Sequence, residues 1–127
     1  MKANVRFMIC KHCGNIVGFI KDKGTPLTCC GEPMKELKAN TTDGATEKHV
    51  PDVKFENGKL KVQVGSTLHP MLPEHYIEWI AVVTENGTQR VSLAPGEEPV
   101  AEFCIDVPAG AEVFEYCNLH GLWKVTL

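Results

Sequence analysis

Apolar and polar residues alternate with a period of two over short runs through most of the second half of the chain. "KLKVQV" (59–64) places Leu60, Val62 and Val64 on one face, as a half-buried strand does. Just before it, "FENGKL" sets Asn57-Gly58 between two such runs, a hairpin signal. "YIEWIAVVT" (76–84) is apolar almost throughout and predicts a central strand, with a second turn at "ENG" (85–87). "AEFCIDV" (101–107) predicts a strand with Phe103, Ile105 and Val107 inward, and "EVFEYC" (112–117) and "LWKVTL" (122–127) predict two more. "APGEEP" and "PAG" supply further turns. No segment shows the period of an amphipathic helix. Short strands at this spacing predict an antiparallel β-sandwich or barrel.

The first 38 residues read differently. They show little strand or helix pattern and are rich in Cys, Gly and Lys. A unit this small cannot bury enough apolar surface to stand unaided and needs a staple. Charge divides at the same place. Residues 1–38 carry a net +4 and residues 39–127 a net −7. The expected organisation is therefore a stapled unit over 1–38 and a strand-rich domain over 39–127. Residues 39–50, "ANTTDGATEKHV", are small and polar and read as a linker running into a loop.

Neither half has the dense basic stripe of a nucleic-acid binder. No run approaches the ~20 apolar residues of a membrane span. "MKANVRFMICKHC" lacks the apolar core of a leader peptide, so the expected compartment is the cytoplasm. Thiols stay reduced there, and six cysteines are then better read as ligands than as disulfides.

"CKHC" and "TCCGEPM" supply Cys10, Cys13, Cys29 and Cys30. A Cys-x-x-Cys turn converges two sulfurs on one ion. The adjacent pair Cys29-Cys30 has to lie on a turn, which Gly31 and Pro33 favour, because neighbouring side chains diverge along a strand. Four thiolates suit tetrahedral zinc or iron, with two disulfides or idle thiols as the plainer alternatives, the first disfavoured in a reducing compartment. His12 is read as an exposed spacer inside the knuckle.

The second group is His49, His69, His75, Cys117 and His120, each beside loop-like sequence. Singly, each histidine is an ordinary surface or packing residue. Together, and with Cys117 three residues from His120, they form a donor set. "HPMLPEH", held by two prolines, has little freedom to lose on binding a metal. Five donors exceed what structural zinc uses. Imidazoles plus one thiolate leave a sixth position open and suit iron acting on a small oxygen species, the thiolate pushing electron density onto the metal. Cys104, in "EFCID", is left over and reads as a small structural residue. Trp123 is expected in the core near the site.

The stretches "CKHCGNIV", "CCGEPMKEL", "EKHVP", "HPMLPEHYIEWI" and "EFCIDVPAGAEVFEYCNLHGLWK" closely resemble desulfoferrodoxin, the two-iron class of superoxide reductase. The resemblance runs in order over most of the chain and implies a desulforedoxin-like first domain with iron on Cys10, Cys13, Cys29 and Cys30. It implies an immunoglobulin-like antiparallel β-sandwich whose iron takes His49, His69, His75 and His120 in the equatorial plane and Cys117 as axial ligand. Glu47 and Lys48 match the family's loop residues over the open position and are the expected catalytic pair. The implied activity is one-electron reduction of superoxide to hydrogen peroxide. Implied with it are a cytoplasmic homodimer and an external electron donor such as rubredoxin. Two other classes compete. An electron-transfer iron protein without turnover needs a closed second site, and a zinc-ribbon binding module leaves four histidines idle.

Overall fold

In the computed structural model, residues 5–127 are described. The chain divides into two compact units that meet between Lys38 and Ala39. Strands dominate both, and among the described residues no helix is long and apolar enough to cross a membrane.

The smaller unit has more strand than its sequence pattern predicts. β1 (Phe7–Ile9) is flanked by β2 (Ile16–Gly18) and β5 (Lys35–Leu37) in an antiparallel sheet ordered β2-β1-β5. β3 (Thr28–Cys29) and β4 (Glu32–Pro33) form a separate two-stranded hairpin. Strands of two or three residues are too short to print an alternation, which is why the sequence reading passes over them. Arg6 ties the unit together, meeting Asp22 at 2.8 Å and Glu36 at 3.1 Å. The burial is thin, and the case for a staple stands.

The larger unit is the expected sandwich. One sheet is ordered β10-β7-β6, from β6 (Pro51–Glu56), β7 (Lys59–Val64) and β10 (Val100–Cys104). The other is ordered β12-β11-β8-β9, from β8 (Ile77–Thr84), β9 (Gly87–Ser92), β11 (Glu112–Cys117) and β12 (Gly121–Thr126). All pairings are antiparallel. Asn57-Gly58 closes the β6–β7 hairpin with φ of 52° and 75°, the double positive φ that a type I′ turn demands. Leu60, Val62 and Val64 of β7 face Ile77, Ile80 and Val82 of β8 and Val113 and Cys117 of β11, all in one buried cluster. A core of this composition is held by area removed from water, about 25 cal/mol per Å².

Two expectations are corrected, and one strand is added. Residues 39–50 are not a free linker. Asn40 donates its amide to the Leu122 carbonyl at 2.9 Å and brackets Lys124 with its side chain, and a one-turn helix, α1 (Thr46–His49), follows. Its polar composition reflects hydrogen bonding to the edge of β12, not solvent exposure alone. Val107 is 61% exposed and does not face inward. β10 ends at Cys104, and the chain turns away after Ile105 donates to Gly58. β9 went unread because it is an edge strand, "GTQRVS", exposed along most of its length.

Candidate metal centres

The smaller unit gathers Cys10, Cys13, Cys29 and Cys30 with all ligand atoms within 4.8 Å of one another. The knuckle is set by backbone: Gly14 donates to the Cys10 carbonyl and Cys10 to that of Asn15, each at 2.9 Å. The opposing pair sits on the tight turn between β3 and β4. Cys30 and Gly31 there adopt φ of 53° and 78°, so neighbouring side chains turn to one side. None of the described cysteines is in a disulfide. The thiols do not titrate alike. Amide donation from Cys13, then His12, helps draw Cys10 down to about 6, whereas hydrogen-bonding contact with Cys13 and Cys10 pushes Cys30 up to about 12. Thiolates this close repel, so all four ionise together only around a cation. His12 is exposed beside Glu32 at 3.1 Å, outside the cluster.

The larger unit brings together His49, His69, His75, Cys117 and His120, again within 4.8 Å. His49 ends α1, and His69 and His75 bound the proline loop, which is pinched by paired backbone bonds between Leu72 and His75. Cys117 ends β11, and His120 lies in the turn into β12. Asn118 ties this turn to the proline loop, accepting from the Tyr76 amide and donating to the Glu74 carbonyl, each at 2.9 Å.

The ring nitrogens settle what the centre can hold. His49 Nδ1 lies 2.8 Å from the Ala45 carbonyl and His69 Nδ1 2.7 Å from that of Pro70. A carbonyl only accepts, so each Nδ1 carries the hydrogen and each Nε2 presents a lone pair. Those two Nε2 atoms are 3.1 Å apart, and His120 Nδ1 is 3.1 Å from that of His49. Cys117 Sγ lies 3.5 Å from His69 Nε2 and 3.7 Å from His120 Nδ1. His75 Nε2 is buried with no partner. The Nε2 lone pairs of His49 and His69 cannot hydrogen-bond to each other; a metal ion would satisfy them together with His75 Nε2.

Burial keeps the histidines in their metal-binding form. Desolvation lowers His49 and His75 and brings His69 down to about 4, so the rings are neutral at pH 7. It raises the Cys117 thiol, opposed by the amides of Leu119 and His120, which donate to the sulfur. Trp123 stacks on His49, ring centroids 5.0 Å apart, and donates to the His120 carbonyl at 2.9 Å; Thr42 donates to the same carbonyl. Glu47 and Lys48 are exposed on α1 directly before His49. The charge of Lys48 reaches His75 and that of Glu47 reaches His49. Cys104 stays outside both clusters, exposed at the end of β10.

Comparison with known proteins places this geometry. The family model described as Desulfoferrodoxin matches residues 41–126, and that described as Desulfoferrodoxin, N-terminal domain, matches residues 7–37. The desulfoferrodoxin of Nitratidesulfovibrio vulgaris is 50% identical over 115 residues, covering 91% of this chain and 90% of the relative. That of Clostridium acetobutylicum is 42% identical over 127 residues, covering both in full. The superoxide reductase of Treponema pallidum superposes with a TM-score of 0.78 at 33% identity, covering 98% of this chain and 100% of that one. The chain belongs to the desulfoferrodoxin family. It carries the donor sets of two iron centres, a four-cysteine group and a four-histidine, one-cysteine group.

Glu115 escaped the sequence reading. It shares the inward face of β11 with Val113 and Cys117, opposite Ile80 and Trp123, and is fully buried with neither oxygen partnered. A glutamate in phase with inward Val113 and Cys117 was the signal. Burial pushes its pKa up from 4.5 to about 9, so it stays protonated at neutral pH. The folded state then holds a proton that the unfolded chain releases. Stability attached to this group is complete below about pH 4.5 and lost as pH rises towards 9. Glu115→Gln removes that loss, worth on the order of 3 kcal/mol at pH 7. Melting curves of the zinc-loaded variant are expected to show a gain over the parent that grows from pH 5 to pH 8; a gain independent of pH contradicts the assignment.

Proposed function

We propose that this chain reduces superoxide to hydrogen peroxide at the five-donor centre, with His49, His69, His75, His120 and Cys117 as the metal ligands. Cys10, Cys13, Cys29 and Cys30 are the ligands of the first iron, in a domain proposed to span residues 1–38, with the catalytic domain over 39–127. The observation that carries this reading is the convergence of four imidazoles and the Cys117 sulfur on one point, with the Nε2 lone pairs of His49 and His69 facing each other at 3.1 Å. When bound, ferrous iron supplies one electron and an open coordination position to the substrate. The protein supplies the rest.

Superoxide plus one electron and two protons gives hydrogen peroxide. The domain over 39–127 is net acidic, so long-range attraction does not draw an anion in, and local charge has to. Lys48 is proposed as that charge, on the same turn as ligand His49 and within electrostatic reach of His75. Glu47, exposed on the same turn, is proposed as a carboxylate that would be available to an oxidised iron held by the five donors. Neutral imidazoles keep the metal's positive charge uncompensated, and the buried sulfur of Cys117 favours the electron-poor state. Re-reduction then depends on an external carrier, for which rubredoxin is the proposed donor. A cytoplasmic homodimer is the proposed setting, carried by the family likeness.

Two experiments test this reading. Under a steady superoxide flux, peroxide is expected without release of dioxygen from substrate, and turnover persists only while a donor is supplied. Catalytic dioxygen release without any donor makes the protein a dismutase instead. Lys48→Ile is expected to slow superoxide capture by about 10- to 100-fold and to flatten its decline with salt. An unchanged second-order rate in pulse radiolysis removes Lys48 from the mechanism.

A further inference from the structure

The turn Gly65–Thr67 follows β7 and carries no ligand, yet it holds the segment that carries three site residues. The Glu47 carbonyl accepts from the Thr67 amide at 2.9 Å and from the Ser66 hydroxyl at 3.2 Å. On the other side of the turn, the His69 amide donates to the Val64 carbonyl at 2.8 Å. Gln63 donates to the Gly65 carbonyl at 2.8 Å and Gly65 to that of Thr67 at 3.0 Å, so the turn is fixed from within. It thus links α1, with Glu47, Lys48 and His49, to the start of the loop that bears His69.

Gly65 is where the two segments meet. A Cβ at this position would lie 2.7 Å from the Glu47 carbonyl oxygen, 2.9 Å from the Lys48 carbonyl carbon and 3.0 Å from the Val50 carbonyl oxygen. All three are backbone atoms, which cannot swing aside as the end of a side chain does. Any side chain therefore lifts residues 47–50 from the turn by several tenths of an ångström, or breaks the bonds to Glu47. Its φ is not in the left-handed region, so conformational freedom is not what keeps glycine here; close approach is.

We propose that Gly65 is a positioning residue. Its bare Cα lets the Glu47–Val50 backbone seat directly on the end of β7. That seat fixes where Lys48 and His49 stand relative to His69, whose Nε2 lies 3.1 Å from that of His49. The role deepens the superoxide reductase reading and rests on it, because Lys48 matters only if an anion has to be captured. Misplacement of a reacting or steering group by a fraction of an ångström to an ångström costs up to about a hundredfold in rate.

The test is Gly65→Ala in the full two-iron protein, alone and combined with Lys48→Ile, with Ser66→Ala as a milder lesion. Superoxide capture by pulse radiolysis is expected to fall about tenfold in Gly65→Ala, with a weaker dependence on salt. In the Lys48→Ile background the same change is expected to cost less than twofold, because the charge it places is already gone. A second readout needs no turnover. Zinc affinity of the five-donor site, by chelator competition, is expected to fall at least fivefold while the four-cysteine site is unaffected. Ser66→Ala, which keeps the glycine, is expected to move both readouts in the same direction by a smaller factor. Equal losses of capture rate in both backgrounds overturn the proposal, and so does zinc affinity within twofold of the parent. If Gly65→Ala does not fold, an unaltered Ser66→Ala decides against it. If the parent itself fails to reduce superoxide, the functional reading falls, and the zinc measurement still judges Gly65.

Discussion

Unshared lone pairs are the constraint on which this molecule depends. In the larger unit, carbonyls of Ala45 and Pro70 take the only hydrogens that His49 and His69 can offer and leave their Nε2 atoms facing each other at 3.1 Å. His75 adds a buried nitrogen with no partner, and Cys117 adds a sulfur. Without a cation the site holds more buried acceptors than donors, and each left unmet costs of the order of a lost hydrogen bond or more. With one, it is a preformed site. In the smaller unit the same logic holds with thiolates, whose mutual repulsion a metal relieves.

The sandwich matters because it makes that convergence rigid. Cys117 ends a strand paired on both sides, and β8 and β11 run through the most buried part of the domain. The histidines come from less regular segments, and each is anchored by backbone or by short polar ties: Leu72 to His75, Asn118 to Tyr76 and Glu74, Thr42 and Trp123 to the His120 carbonyl, Ser66 and Thr67 to Glu47. Glu47 and Lys48 stay exposed on α1, next to His49 but outside the cluster of donors. Strand interiors supply stability, and loops held by hydrogen bonds supply chemistry.

The ligands were legible because they are chemically rare: nine Cys and His residues of the right spacing stand out against any background. The long strands were legible because Leu60, Val62 and Val64 repeat at a clean period of two. Contacts between distant segments were not. Nothing in "ANTTDGATEKHV" shows that Asn40 brackets Lys124, and nothing in "VGST" shows that Gly65 bears on the backbone of Glu47 and Lys48. Val107 kept the alternation of its strand on paper, while the chain had already turned away after Ile105. Glu115 was the one missed residue with a visible signal, since it stands in phase with Val113 and Cys117.

The central claim is that two donor sets, separate in sequence, each hold one iron. Iron content and visible spectra of Cys13→Ser and Cys117→Ser, purified beside the parent, test it most directly. The account predicts two irons per chain in the parent. In Cys13→Ser it predicts loss of the four-thiolate bands while the second iron stays in place. In Cys117→Ser it predicts the reverse pattern: four-thiolate bands intact and the thiolate band of the second iron gone. Loss of both irons from either folded variant, or a colourless parent holding zinc at both sites, would contradict it.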